Sequence, residues 1–145
     1  MYKRQGGWTA GNLVASPADV ARFAHALYRP GGAVVSAARR AEMLDFGPHA
    51  FYGMGTFNLN WTTGSHAAYG HVGDTYGYQS AVTYFADLDG TLAVGTNGET
   101  TSQAQPSDAT CRVYQALRAR AKGAPPPQCR FESQGHFFGR CACQR

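Results

Sequence analysis

Tyr69-Gly70-His71-Val72-Gly73-Asp74-Thr75-Tyr76-Gly77-Tyr78-Gln79-Ser80-Ala81-Val82-Thr83-Tyr84-Phe85 is the stretch on which the reading of this chain turns. Tyr78, Ser80, Val82 and Tyr84 alternate with Gln79, Ala81, Thr83 and Phe85, the period of a strand with two different faces. Gly73 to Gly77 predicts a glycine-rich bend that interrupts the run. Asp87-Leu88-Asp89-Gly90 then predicts a hairpin turn, with Gly90 taking the positive φ such turns often require. Thr91 to Thr96 returns as a second strand ending at Asn97-Gly98. The centre of the chain is therefore expected to be an antiparallel pair.

Working outward, Ser16-Pro17-Ala18-Asp19 has the chemistry of a helix start: a hydroxyl cap, proline in the first turn and an acid near the positive end. Val20, Phe23, Ala24 and Leu27 follow on one helical face, and Pro30-Gly31-Gly32 stops the helix. His25 within it reads as an ordinary packed or surface histidine. A shorter helix is predicted from the Ser36 cap through Leu44, stopping before Gly47-Pro48. Phe51 to Trp61 is expected to be extended, and Thr62-Thr63-Gly64-Ser65 a turn. Pro106-Ser107-Asp108 opens a last helix with Val113, Tyr114 and Leu117 on a common face and Gly123 as its stop. From Ala124, Pro125-Pro126-Pro127 breaks regular structure and the remaining tail shows no helical or strand period.

The chain has 145 residues, with 43% hydrophobic and 15% charged, enough for one domain with a real core. The net charge is +4, but the basic residues are scattered apart from Arg112, Arg118, Arg120 and Lys122 near one helix. They are not interleaved with stacking aromatics, which argues against a nucleic-acid partner. No apolar run approaches the ~20 residues of a membrane span, and Met1 to Gly7 contains no apolar signal-peptide core. The four cysteines, Cys111, Cys129, Cys141 and Cys143, allow three disulfide pairings. A Cys141–Cys143 ring is too small to expect. Disulfides or free thiols are expected ahead of a zinc site from Cys129, Cys141, Cys143 and His136, whose spacing matches no paired knuckle.

Three segments carry a resemblance. They are Ala10-Gly11-Asn12-Leu13-Val14-Ala15-Ser16-Pro17-Ala18-Asp19-Val20-Ala21-Arg22-Phe23, Tyr52-Gly53-Met54-Gly55, and Gly70 to Ser80 followed by a hairpin and Asn97. In this order they resemble the C-terminal part of the serine β-lactamase-like family: class C β-lactamases, D-alanyl-D-alanine carboxypeptidases, penicillin-binding proteins and related esterases. The resemblance covers roughly residues 6–121. It implies an α+β, partial β-lactamase/transpeptidase-like fold of antiparallel strands packed with helices, including a C-terminal helix. Residues 1–123 would form that portion, and 124–145 a Pro/Cys-containing tail. It implies acyl transfer or hydrolysis on an amide, ester or β-lactam, a small-molecule or peptide substrate, no cofactor, no metal and an extracytoplasmic setting.

His71 falls where the family's strand places Lys or His before Thr-Gly, a position that assists proton movement near the nucleophile. Gly73 would clear the substrate's approach, and the Asp74 N–H would form half of an oxyanion hole. Val72, Thr75 and Tyr78 complete the expected substrate-binding set. Val72 departs from the family's threonine and has no hydroxyl for a substrate carboxylate. Asp74 would oppose an acidic substrate if its side chain turned inward. Both changes favour an esterase- or amidase-like member.

No serine has lysine three residues on, and no tyrosine stands in Tyr-x-Asn. The family's nucleophile and its second motif are therefore missing. The chain is expected to be a cleft-bearing fragment, inactive alone and completed by a missing N-terminal half. The alternative is a non-catalytic module binding peptidoglycan-like or peptide ligands.

Overall fold

A computed structural model of the chain describes residues 13–49, 51–134 and 138–144. Its helices are α1 (Pro17–Tyr28), α2 (Ala37–Met43) and α3 (Ala104–Ala121). Its strands are β1 (Phe57–Asn58), β2 (Ala68–Thr75), β3 (Tyr78–Phe85), β4 (Gly90–Thr96), β5 (Cys129–Gln134) and β6 (Phe138–Cys143). The fold is α+β: strands β1 to β4 form one antiparallel sheet in sequence order, and β5–β6 a separate hairpin. Ala10, Gly11, Asn12 and His136 lie outside the described residues. Among the described residues, no helix is long and apolar enough to cross a membrane.

The stretch that reads as one bent strand is a tight hairpin. β2 runs on through Gly73 to Thr75, which pairs with Tyr78, so only Tyr76 and Gly77 make the turn. Both take positive φ, 48° and 82°, as a two-residue hairpin loop requires to match strand twist. The next turn differs from expectation too: Asp89 carries the positive φ (42°), while Gly90 is already the first residue of β4. An aspartate tolerates that conformation better than most side chains.

Alternation along β3 sends Gln79, Ala81, Thr83 and Phe85 to one face of the sheet and Tyr78, Ser80, Val82 and Tyr84 to the other. Helix α3 covers the first face, where Leu59, Ala68, Phe85 and Tyr114 form the largest cluster. Helix α1 covers part of the second, packing Ala24 and Tyr28 on Tyr84. Ser16 caps α1 by accepting from the Asp19 N–H at 3.1 Å, and Ser36 caps α2 by accepting from Arg39 at 3.3 Å. Both starts fall where the hydroxyls predict them.

Helix α3 begins two residues before Pro106 and buries a different face from the expected one. Tyr114 is fully buried, but Val113 and Leu117 are 38% and 44% exposed. The buried face is Pro106, Ser107, Thr110, Cys111 and Tyr114. Thr110 can line it because its hydroxyl donates to the Pro106 carbonyl at 2.8 Å, leaving the methyl for packing. Gly123, at φ 67°, ends the helix as expected.

The segment without sequence period is the β5–β6 hairpin, tied down by sulfur. Cys111 of α3 bonds to Cys141, and Cys129 bonds to Cys143 directly across the hairpin. All four cysteines are thereby oxidised. Zinc thus has no thiolate to bind here, and no metal-binding group of side chains occurs among the described residues.

The β3–β4 turn anchors both helices. Asp87 accepts from the Tyr114 hydroxyl at 2.8 Å, with Arg118 at 3.4 Å and His66 at 4.0 Å. Asp89 accepts from the Tyr84 hydroxyl at 3.0 Å, with Arg29 at 3.6 Å and His25 at 3.9 Å. Burial, then the carboxylate beside each phenol, raises both tyrosines, Tyr84 to about 12 and Tyr114 further. These groups are raised in the fold, so their contribution is complete below the unfolded value of about 10 and is lost as pH climbs toward about 12. Absorbance titration of the phenolate is expected to show Tyr84 and Tyr114 ionising late. Their phase should coincide with unfolding and disappear in urea. A single phase near pH 10 in the folded chain would contradict the assignment.

Candidate functional site

Helix α1 spans only part of its sheet face. Beneath it lies the row Tyr69, Tyr84 and Thr91, whose last member bonds His25 at 3.3 Å. Beyond its first turn the rows His71–Val82–Ala93 and Gly73–Ser80–Gly95 are left open. They floor a groove of about 460 Å³ whose far wall is Ala15, Pro17 and Val20. The groove exists because the outer row is nearly side-chain-free. A Cβ at Gly73 would come within 2.6 Å of Ser80 Oγ, whereas one at Gly95 would meet nothing within 4 Å.

His71 stands at the β1 side of this groove. Its Nδ1 lies 2.7 Å from the Val72 carbonyl and its Nε2 lies 3.1 Å from the Tyr52 hydroxyl. A carbonyl only accepts, so Nδ1 carries the proton, and in the neutral ring Nε2 accepts from Tyr52. Phe57 packs edge-on against the imidazole at 5.0 Å and Tyr52 at 5.9 Å, which fixes the ring's orientation. The second and third sequence segments therefore meet in one hydrogen bond.

The backbone beside His71 has a defined direction. The Leu59 N–H donates to the Ala68 carbonyl at 2.8 Å on the β1 side. Backbone groups on an antiparallel strand face alternate neighbours residue by residue, so Gly70, Val72 and Asp74 turn theirs to that same side. Strand β1 reaches only as far as Gly70. Among the described residues no strand covers that edge at Val72 and Asp74, and the Asp74 N–H is aimed toward it.

The six expected site residues separate. His71 and Gly73 share the groove face. Val72 borders the groove, but its side chain packs against the Leu59–Phe85 cluster on the opposite face. Asp74 turns its carboxylate away too, accepting from Gln79 Nε2 at 3.0 Å. Gln79 is 2% exposed and fully engaged, since its amide also bonds the Thr100 carbonyl, N–H and hydroxyl. Thr75 and Tyr78 lie at the hairpin end, exposed, on the His71 face. Sequence reasoning gave no role to the Tyr52 hydroxyl or to Ser80. The only signal for Tyr52 was its place in the Tyr-Gly-x-Gly segment.

Among the described residues the groove is lined by aliphatic side chains and glycine, with His71 and Ser80 as its polar members and no Asp, Glu, Lys or Arg. Such a site can orient a neutral ligand, offer a backbone donor at its lip and pass a proton through Tyr52 and His71. No family model, no curated protein and no solved structure matches this chain.

Proposed function

We propose that this chain is the C-terminal, cleft-forming half of a serine hydrolase of the β-lactamase, carboxypeptidase and esterase kind, with a partial β-lactamase/transpeptidase-like fold. The observation that carries the reading is the meeting of three separated sequence segments at one place. Pro17 and Val20 wall the groove, Tyr52 bonds His71, and Gly73 and Ser80 form the floor. In acyl transfer, charge gathers on the carbonyl oxygen, and a fixed N–H must already face it. The Asp74 N–H takes that role, with Gly73 clearing the approach. The Tyr52–His71 pair moves the proton, His71 Nε2 being its acceptor. Among the described residues the groove carries no Asp, Glu, Lys or Arg to hold a carboxylate, which favours an ester or amide over a carboxylate-bearing β-lactam. The two disulfides support an oxidising, extracytoplasmic setting.

The nucleophile comes from elsewhere in this reading. Ser80 borders the groove, yet both His71 nitrogens are engaged, by Val72 and by Tyr52, and neither is left to activate it. The same observation favours a second reading, a non-catalytic module that holds a peptidoglycan-like or peptide ligand in the groove. The expected result with a fluorescent penicillin and with an activated ester is no mass adduct on the isolated chain. A stoichiometric adduct on a serine would sink the cleft-half proposal. An upstream coding sequence continuing in frame with Ser-x-x-Lys would support it over the binding module, and saturable muropeptide titration without such a sequence would reverse that order.

A further inference from the structure

Away from the His71 groove, two hollows of about 800 and 400 Å³ lie between α3 and the proline segment, and they share Ala116 and Pro126. Together they form one trough running from Arg112 to Gly123. At about 1.5 Å per helical residue the trough is about 17 Å long, the length of about five residues of extended chain. Its floor is shallow and aliphatic: Ala116, Pro126, Pro127 and Ala142.

The rim is basic. Arg112, Arg120 and Arg130 border the trough, Lys122 precedes Gly123 at its end, and Arg140 pairs with Glu132 of its lining. Among the described residues the carboxylates here are Asp108 and Glu132, and both are already used. Asp108 takes Arg112 and the Phe131 N–H, while Glu132 is held by Arg130 and Arg140, which together keep it well below the usual carboxylate range. No ion pair involves Arg120 or Lys122 among the described residues. Arg120 complements the dipole of the last helical turn, and Arg112, Arg130 and Arg140 share the two carboxylates, so the five cations of the rim outnumber its carboxylates by three. Among the described residues no aromatic ring borders either hollow, so they offer no stacking platform of the kind single-stranded nucleic acid uses.

We infer that the trough between α3 and the proline segment docks an extended acidic peptide of a partner protein, its Asp or Glu side chains on the basic rim and small aliphatic ones on the floor. The inference is independent of the proposed hydrolase role. The probe is a fluorescein-labelled acetyl-Glu-Val-Glu-Ala-Glu-Val-Glu-amide, read by polarisation against the intact oxidised chain. Saturable binding is expected that weakens steeply with salt. It should be at least about tenfold weaker for the same peptide with lysine in place of glutamate, and for the R120E chain. Arg120 is exposed, so the variant should keep its circular dichroism, and A116W, which fills the floor, is the second variant expected to abolish binding. Equal binding of the acidic and basic peptides would overturn the proposal, as would no saturation by about 1 mM or an unchanged R120E. Tighter binding of single-stranded DNA than of the acidic peptide would also overturn it and assign the rim to nucleic acid.

Discussion

Loss of the Cys111–Cys141 disulfide is expected to lower the midpoint of thermal unfolding by roughly 10–15 °C, and reduction of both disulfides by more. The Cys111–Cys141 bridge spans 30 residues, and the chain-entropy account gives a loop of that size about 3–4 kcal/mol. In a chain of this length each kcal/mol moves the midpoint by roughly 3–4 °C. The structure concentrates this effect in one place. Strands β5 and β6 pair only with each other, and an isolated two-stranded hairpin is marginal in water. Without sulfur, the hairpin keeps the Asp108–Phe131 hydrogen bond at 2.8 Å and the packing of Phe131. Cys129–Cys143 closes a shorter span of 14 residues within an existing register, so its loss should cost less. Thermal scans with and without a phosphine reductant test this, with C111A/C141A compared against C129A/C143A. Hydrogen exchange should show residues 129–143 losing protection first. An unchanged midpoint in reductant would refute the account.

The hairpin also marks the limit of what the sequence made legible. Strand β3 could be read because its alternation separates two covered faces, and α1 and α2 because Ser16 and Ser36 each leave a cap signature independent of tertiary context. Strands β5 and β6 left no such trace. Their order comes from covalent bonds between cysteines whose pairing sequence alone leaves open. Helix α3 misled for a related reason. Thr110 looks solvent-facing until its hydroxyl is satisfied within the helix, and Cys111 looks neutral until oxidised. At the site, the strand through His71 was legible, but Gly73 and Asp74 were expected in a bend, and it is the continuation of β2 to Thr75 that sets the direction of the Asp74 N–H. The Tyr52–His71 bond was not legible, because it joins residues 19 apart through a loop that no period describes.

Gly70→Ala is expected to cost about 3 kcal/mol or more, the upper range for overpacking a closed site, while Gly95→Ala in the same sheet should cost nothing. Gly70 is buried and pairs on both sides, with Phe57 of β1 and Thr83 of β3. A Cβ there would overlap the Val82 carbonyl oxygen and come within 3.1 Å of Leu59 Cδ1. Leu59 is fully buried and cannot swing into solvent, and the carbonyl belongs to the β2–β3 backbone. Relief therefore requires the two strands to part beside His71 rather than one side chain to turn. At Gly95 a Cβ meets open space, and a methyl also restrains the unfolded chain, an effect of about 0.4–1 kcal/mol in favour of the fold. Urea unfolding midpoints of the two variants measure the difference at equal m-value. The same strand opening should move the His71 imidazole off the Tyr52 hydroxyl, visible as a changed His71 ring resonance in G70A and an unchanged one in G95A. A G70A midpoint within about 0.5 kcal/mol of the parent would mean that β2 and β3 can separate at Gly70 without cost, and the closed edge beside His71 would no longer explain how the site is held.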